Sequence, residues 1–353
     1  MPAQPDASPV YSYLGPVGTF TWTALNQAPE AVGGEWRSVN NVGEALDDVI
    51  SGRSIGAMIA IENSVEGGVS ATQDALASIP GLRITGEYLV RVDFDLVARP
   101  GTALADVTTV AAHPVAYAQT HLWLDKAVPT HAHLPATSNV AAPTALLNGS
   151  PADAAVAPHG ITQHLALDTL AEHIGDNQNA VTRFVMVSRS GRIPERTGAD
   201  KTSIIVELPS DAAGSLLDML EQFATRGVNM SLLESRPIGD ELGRYRFVID
   251  LDGHVHDERV ADALLGLKRF SPRVTFLGSY PRADRRPVVL ESRYRDEVFI
   301  EARDWLRGIL SGEPDGEDAV EDAGEALPGL VVRELDDAAP GQHGADDQGP
   351  QAG

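Results

Sequence analysis

The most constraining feature of this 353-residue chain is the alternation of strand-like and helix-like segments through its first half. Residues 10–14 form a short apolar run that ends at a glycine-rich turn, and a helix-like stretch follows over 19–28. The same order returns as a buried strand at 55–61 and a helix at 70–78. Alternating strands and helices over about 175 residues predict an α/β architecture, with ligands at the carboxyl ends of the strands.

A long extended segment interrupts this alternation. Residues 83–98 place apolar side chains at alternate positions from Val90 to Ala98, which predicts one strand that is buried on one face. Such a strand could connect two lobes of the first domain, which we place at residues 10–189.

A different order of elements begins after a polar linker at residues 188–194. Residues 202–280 are predicted as strand, helix, strand, strand, helix and strand, with one apolar face on the helix at 213–225 and on the strand at 245–251. This βαββαβ order predicts a second domain that folds as a ferredoxin-like sandwich. A further helix with one apolar face is predicted at 287–310.

The formal net charge of −23 is unevenly distributed along the chain. Nearly half of it falls in residues 311–353, which are also rich in glycine, proline and alanine. Such a segment buries too little apolar surface to offset the entropy lost on ordering, so we expect an acidic, disordered tail. The negative charge of the whole chain also argues against nucleic-acid binding.

Cysteine is absent from the chain, which excludes disulfides, thiolate metal sites and cysteine nucleophiles. The histidines, including His131 and His133, lack a dense set of carboxylate or thiolate ligands, so no metal site is expected. Residues 1–9 have neither a basic start nor an apolar run, and no stretch reaches the length of a membrane span. We therefore expect a cytoplasmic protein that does not bind membranes.

Three loops of the first domain carry polar side chains where a predicted strand ends. The loop at 15–21 places hydroxyls and backbone amides at a helix start, which suits either an anion or a simple turn. The turn at 62–64 could orient a polar ligand or only cap the next helix. His113, followed in the next helix by Gln119, could transfer a proton or only begin that helix.

Thr182, Arg183 and Phe184 lie where a polar turn becomes an apolar strand. Such junctions hold side chains on a rigid scaffold, and the planar guanidinium of arginine matches a carboxylate. The alternative is a solvated strand edge. In the second domain, residues 214–217 begin a helix and residues 234–237 close a strand, which suits either solvated surface or a ligand pocket between domains.

Taken together, these segments resemble prephenate dehydratase with a C-terminal ACT regulatory domain. The resemblance covers residues 10–280, and its motifs follow the family's order. It depends on the loop at 15–21, Glu62-Asn63-Ser64, His113 with Gln119, Ser138-Asn139 with Ala141-Ala142, Thr182-Arg183-Phe184 and Glu234-Ser235-Arg236-Pro237.

The family implies a two-lobed catalytic domain similar to periplasmic binding proteins, with the active site in the cleft between the lobes. The implied reaction converts prephenate to phenylpyruvate, carbon dioxide and water without a cofactor. By resemblance, Thr182 is the catalytic residue that assists the departing hydroxyl, and Arg183 binds a substrate carboxylate. The implied substrate-binding residues are Thr19, Phe20, Thr21, Glu62, Asn63, Ser64, His113, Gln119, Ser138 and Phe184.

The resemblance also implies feedback regulation by phenylalanine, bound where two ACT domains meet in a homodimer or homotetramer. The usual Gly-Ala-Leu at the helix start is Gly-Ser-Leu here, so the preference among aromatic amino acids stays open. Two alternatives are an arogenate dehydratase and a non-catalytic sensor of small molecules. The implied effector-binding residues are Gly214, Ser215, Leu216, Leu217, Glu234, Ser235, Arg236 and Pro237.

Overall fold

The computed structural model describes residues 8–65, 67–209, 212–239 and 244–312. The predicted disordered tail lies outside these ranges, apart from its first two residues. The strands are β1 Val10–Leu14, β2 Glu35–Val39, β3 Gly56–Asn63, β4 Gly67–Gly68, β5 Leu82–Arg91, β6 Phe94–Ala98, β7 Thr109–Ala112, β8 Ala132–Pro135, β9 Ala154–Pro158, β10 Asp168–Ala171, β11 Val181–Arg189, β12 Asp200–Glu207, β13 Met230–Pro237, β14 Tyr245–Asp252 and β15 Arg273–Pro281. The helices are α1 Phe20–Asn26, α2 Val42–Ser51, α3 Ser70–Ser78, α4 Pro114–Ala118, α5 His121–Ala127, α6 Ala141–Leu147, α7 Ser215–Ala224, α8 Glu258–Phe270 and α9 Asp296–Ser311.

The first lobe is built on a 6-stranded sheet in the order β2-β1-β3-β11-β5, with β4 paired to β3. Strand β1 is parallel to β2 and β3, whereas β11 is antiparallel to β3 and β5. Helix α2 buries Leu46 and Val49 in the same core as Ile59 of β3. It begins at an Asn41 cap and ends at Gly52, which adopts the left-handed conformation that glycine tolerates.

The second lobe is built on a 5-stranded sheet in the order β10-β6-β9-β7-β8. The chain enters this lobe between β5 and β6, at residues 92–93, and returns to the first lobe between β10 and β11, over 172–180. The predicted two-lobed α/β domain is confirmed, but the single strand predicted at 83–98 is wrong, because β5 and β6 belong to different sheets. Val90, Val92 and Phe94 are all buried across the crossing, so periodicity alone could not reveal the change of sheet.

The second domain is a 4-stranded sheet in the order β13-β14-β12-β15. Its elements follow one another as β12-α7-β13-β14-α8-β15, which confirms the predicted βαββαβ arrangement. Met219 and Phe223 of α7 pack with Val260 and Leu267 of α8 in one buried core with Ile249 of β14. Both helices therefore cover the same face of the sheet.

The opposite face of this sheet packs against the first lobe. Ile205 of β12 and Val248 of β14 share a buried core with Val185 and Val187 of β11. Strand β11, which begins one residue before Thr182, is thus covered by the second domain on one of its faces. This contact makes the second domain part of the scaffold that holds β11.

The C-terminal helix begins at Asp296, not at Pro287 as the sequence predicts. The residue after Pro287, Val288, donates its N–H to the Gly198 carbonyl at 3.3 Å, a partner outside any helix. These residues therefore follow the second domain as an irregular segment before the helix starts. Within the described ranges, no helix combines the length and the apolar character needed to cross a bilayer.

Candidate active site

A cavity of 370 Å³ lies between the two lobes, within the size range of small-molecule sites. The first lobe contributes the start of α1 and parts of β3 and β11, and the second lobe contributes α4 and the loop before α6. A wider groove of 630 Å³ beside β5 holds none of the predicted site residues among its described lining residues. The cavity is lined by Leu14, Gly15, Thr19, Phe20, Thr21, Asn40, Ala60, Asn63, Val69, Val92, Phe94, His113, Val115, Gln119, Thr137, Ser138, Asn139, Thr182 and Phe184.

Thr182 and Asn63 form the polar centre of the first-lobe wall. They are paired across β11 and β3, and Asn63 Nδ2 lies 2.9 Å from Thr182 Oγ1. The backbone N–H of Val65 donates to Asn63 Oδ1 at 2.8 Å, which fixes the amide so that its NH₂ group faces Thr182. The Thr182 oxygen therefore accepts one hydrogen bond, and its hydroxyl hydrogen remains available for donation.

The loop before α1 brings Thr19, Phe20 and Thr21 to the cavity. Thr19 caps the helix, because its Oγ1 accepts from the Trp22 N–H at 3.2 Å and donates to the Leu14 carbonyl at 3.0 Å. Phe20 packs edge-on against Phe94, with ring centroids 5.6 Å apart. An apolar ring pair, one ring from each lobe, thus lies beside a helix start, where the first backbone N–H groups lack intrahelical partners.

Second-lobe residues His113, Gln119 and Ser138 also line the cavity. His113 caps α4, since its Nδ1 accepts from the Val115 N–H at 3.3 Å, so the neutral ring carries its proton on Nε2. Ser138 Oγ accepts at 3.0 Å from the N–H of Ala141, the first residue of α6. For His113 both interpretations of the sequence therefore hold, because it begins the helix and also lines the cavity.

Sequence reasoning missed three polar lining residues, Asn40, Thr137 and Asn139. The side-chain oxygen of Asn139 is buried and has no hydrogen-bond partner among the described residues, and a ligand that donates a hydrogen bond would satisfy it. Its place beside Ser138 in the Ser-Asn pair was the available signal.

Arg183 is not brought to the cavity, although Thr182 and Phe184 on either side of it are. Successive side chains of a strand point to opposite faces, so Arg183 lies on the face that meets the second domain. Glu62, its cross-strand neighbour, also faces that side and accepts a hydrogen bond from Arg183. Ser64 pairs with the backbone of Val181 instead, with its Oγ 2.9 Å from the Val181 nitrogen.

The guanidinium of Arg183 binds three carboxylates and is only 5% exposed. Its Nε lies 2.9 Å from Glu62, its Nη1 lies 3.1 Å from Glu87, and its Nη2 lies 2.5 Å from Asp250 of the second domain. Lys201 adds a second cation at 3.0 Å from Glu87. Burial opposes the charge of Arg183, but the carboxylates, Asp250 foremost, raise its pKa well above the usual value.

The expectation that Arg183 binds a substrate carboxylate therefore does not fit its position. Among the described residues, neither lysine nor arginine lines the cavity. The wall offers hydroxyl, amide, imidazole and backbone N–H donors instead. These groups suit an anionic ligand that is held by directed hydrogen bonds.

The predicted effector-binding residues divide between two faces of the second domain. Glu234 accepts from the Gly68 N–H at 2.7 Å, and Arg236 binds Asp74 of α3 at 2.8 Å, so both contact the first lobe. The exposed residues include Ser235 and Pro237 of β13 and Gly214, Leu216 and Leu217 at the start of α7, whereas Ser215 is buried. The structure does not bring these eight residues to one surface.

Comparison with known proteins places this geometry in a family. The family model described as prephenate dehydratase matches residues 11–192. A prephenate dehydratase from Amycolatopsis methanolica is 40% identical over 303 residues, 86% of this chain and 98% of the relative. The one from Corynebacterium glutamicum is 41% identical over 312 residues, 87% of this chain and 98% of the relative.

Two solved structures resemble the fold. The prephenate dehydratase of Arthrobacter aurescens in complex with L-Phe is 50% identical, with a TM-score of 0.82, over 86% of this chain and 100% of that chain. A protein described as a novel type of quorum-quenching acylase is 29% identical, with a TM-score of 0.69, over 78% of this chain and 100% of that chain.

Proposed function

Because this chain belongs to the prephenate dehydratase family, we propose that its cavity between the lobes converts prephenate to phenylpyruvate, carbon dioxide and water. The observation that carries this proposal is the hydroxyl of Thr182, which lines the cavity and is held by Asn63 at 2.9 Å. Prephenate loses both its ring carboxylate and its ring hydroxyl. It also carries a side-chain carboxylate, which stays in the product. The enzyme must therefore hold two carboxylates and assist the departure of one oxygen.

Thr182 is the proposed catalytic residue. As carbon dioxide leaves, the electron pair of the broken carbon–carbon bond enters the ring, and the ring hydroxyl departs and leaves the cavity as water. A hydroxyl that already accepts a hydrogen bond from Asn63 is a stronger donor, so Thr182 can stabilise the developing charge on the departing oxygen. Threonine is a weak acid, and the proton that completes the water comes ultimately from solvent.

The substrate carboxylates are proposed to bind donors other than Arg183. The start of α1, with Thr19, Phe20 and Thr21, and the Ser138-Asn139 loop flank the cavity from opposite lobes. Together they offer hydroxyl, amide and backbone N–H donors. His113 and Gln119 complete the polar wall, while Phe184 and the Phe20–Phe94 pair suit the ring of the substrate.

A direct assay tests the proposed activity. The purified chain should release phenylpyruvate from prephenate, and its kcat/KM for prephenate should exceed that for arogenate. No release from either substrate would leave the sensor alternative, and faster turnover of arogenate would reverse the substrate assignment. Hydrolysis of an acylated amide substrate without dehydration of prephenate would instead support an acylase activity, as in the description of the 29% identical relative.

Phenylalanine is the proposed feedback inhibitor, since the Arthrobacter relative was solved with L-Phe. We place the effector surface on the exposed side of the second domain, where Leu216, Leu217 and Leu233 are 40%, 59% and 41% exposed. Exposed apolar side chains also suit contact with a second copy. A homodimer or homotetramer therefore remains part of the proposal, as does a cytoplasmic location.

One variant tests this surface. Phenylalanine should inhibit the unmodified chain and raise its thermal midpoint, and Leu217→Asp should weaken that inhibition by at least about tenfold, the loss expected at a well-packed contact. Turnover without phenylalanine should stay unchanged. Leu265→Asp on α8 is the matched control, because Leu265 is 61% exposed. Equal inhibition of both variants would remove Leu217 from the effector surface.

A further inference from the structure

Three side chains of ligand type meet where the chain passes between the lobes, outside the cavity. Asp93 lies in the first crossing, His173 lies in the return crossing, and His159 directly follows β9. One potential ligand atom of each lies within 4.8 Å of those of the other two. His173 Nδ1 is 2.5 Å from Asp93 Oδ2, and the two imidazole rings stack with centroids 4.6 Å apart. Two imidazoles and one carboxylate thus converge from three segments.

The carboxylate of Asp95 contacts two members of this cluster, the ring of His159 and the backbone of His173. It is only 2% exposed, and both of its carboxylate oxygens lie 3.0 Å from His159 Nδ1. The backbone N–H groups of His173 and Gly160 hold the carboxylate at 3.1 and 3.3 Å. A carboxylate that accepts the Nδ1 proton orients the ring and leaves Nε2 to bind an ion, as in many metal sites.

The backbone at His173 is held in an unusual conformation, with φ at 57°. Residues other than glycine seldom adopt this left-handed region, and such strain persists where surrounding contacts impose it. Here the His173 N–H binds Asp95, and the next N–H, of Ile174, donates to the Phe94 carbonyl at 2.8 Å. The side chains of His159 and His173 remain 46% and 48% exposed, so an ion from solvent can reach them.

We propose that Asp93, His159 and His173 bind one divalent transition-metal ion, for which Zn²⁺ is the probe, with Asp95 as the carboxylate behind His159. Two imidazoles and a carboxylate suit Zn²⁺ and its neighbours in the first transition row, whereas Mg²⁺ prefers oxygen ligands. Binding breaks the hydrogen bond between His173 and Asp93: its proton leaves to solvent, and the two atoms move apart to ligate the ion. Asp93 comes from the first crossing and His173 from the return crossing. A bound ion therefore links the two connections between the lobes.

This proposal reverses the sequence-based expectation of no metal site. The ligands are far apart along the chain, and the histidine that follows His159 at ligand spacing, His164, packs against Trp22 instead. Only the pairing of β6 with β9 and the return crossing beside β6 bring them together. His131 and His133, which sequence reasoning considered, contact Tyr117 instead.

The test is calorimetric titration of the chelator-treated full chain with Zn²⁺. It is run at about pH 8, because a protonated imidazole does not bind metal. We expect one saturable site per chain, no binding of Mg²⁺, and a higher thermal midpoint with Zn²⁺. His159→Ala and His173→Ala should each lose at least about 100-fold in affinity, and Asp95→Asn about 10- to 100-fold.

His121→Ala is the matched control. His121 is 46% exposed, like His159, and lies 3.3 Å from Asp176, but in the described part of the chain no second imidazole joins this pair. Its removal should leave Zn²⁺ affinity unchanged. Turnover measured without Zn²⁺ checks that each variant is folded. Equal Zn²⁺ affinity in the unmodified chain, His159→Ala and His173→Ala, or a loss of affinity in His121→Ala alone, would overturn the site.

Discussion

Replacing Thr182 by alanine is expected to lower kcat for phenylpyruvate formation by about 10²- to 10⁴-fold, the usual contribution of a positioned proton donor. The substitution removes the hydroxyl that Asn63 holds at 2.9 Å and leaves the rest of the cavity wall intact. KM for prephenate should change little, because the lost hydrogen bond strengthens mainly as the oxygen departs. The loss in the free energy of unfolding should be about 1 kcal/mol, for one hydrogen bond.

Thr182→Ser is the control, since serine keeps the hydroxyl and loses only a methyl group. It should retain most of the kcat that Thr182→Ala loses. Steady-state kinetics of both variants, together with thermal unfolding, separate a chemical role from a structural one. Turnover of Thr182→Ala within a few-fold of the unmodified chain would contradict the catalytic assignment of Thr182.

The fold could be predicted from the sequence because its signals are local. Period-two and helical patterns in residues 202–280 depend only on neighbouring side chains, and they yielded the βαββαβ order that the structure confirms. The crossing at residues 92–93 could not be predicted in the same way. Val90, Val92 and Phe94 are all buried although β5 and β6 belong to different sheets, so no local signal marks the change.

The sequence predicts the loops that form the candidate site. The assignment of Arg183 to the substrate, however, does not agree with the alternation of side chains along a strand. Thr182 and Phe184 line the cavity while Arg183 lies between them on the opposite face. The alternation of strand side chains predicts this separation once Thr182 is placed in the cavity. The partners of Arg183 could not be predicted, because Asp250 belongs to a strand of the other domain.

Replacing Arg183 by methionine is expected to lower the free energy of unfolding by about 3–5 kcal/mol, the usual cost of removing one partner from a buried ion pair. The variant would leave Glu87 and Asp250 without their shared cation, and the side chains of these residues are only 4% and 1% exposed. Lys201 lies 3.0 Å from Glu87 and would offset part of the loss there. Urea unfolding followed by tryptophan fluorescence measures the change.

Arg192→Ala is the control for this loss, because Arg192 and its partner Glu195 are 84% and 86% exposed and such pairs contribute about 0–1 kcal/mol. Adding Asp250→Asn to Arg183→Met should recover part of the stability, since Asp250 then no longer buries an unpaired carboxylate and Lys201 still pairs with Glu87. Under conditions where Arg183→Met is folded, KM for prephenate should stay within a few-fold of the unmodified value. A large rise in KM with unchanged stability would instead support the expectation that Arg183 binds a substrate carboxylate. Its side chain would then have to turn toward the cavity.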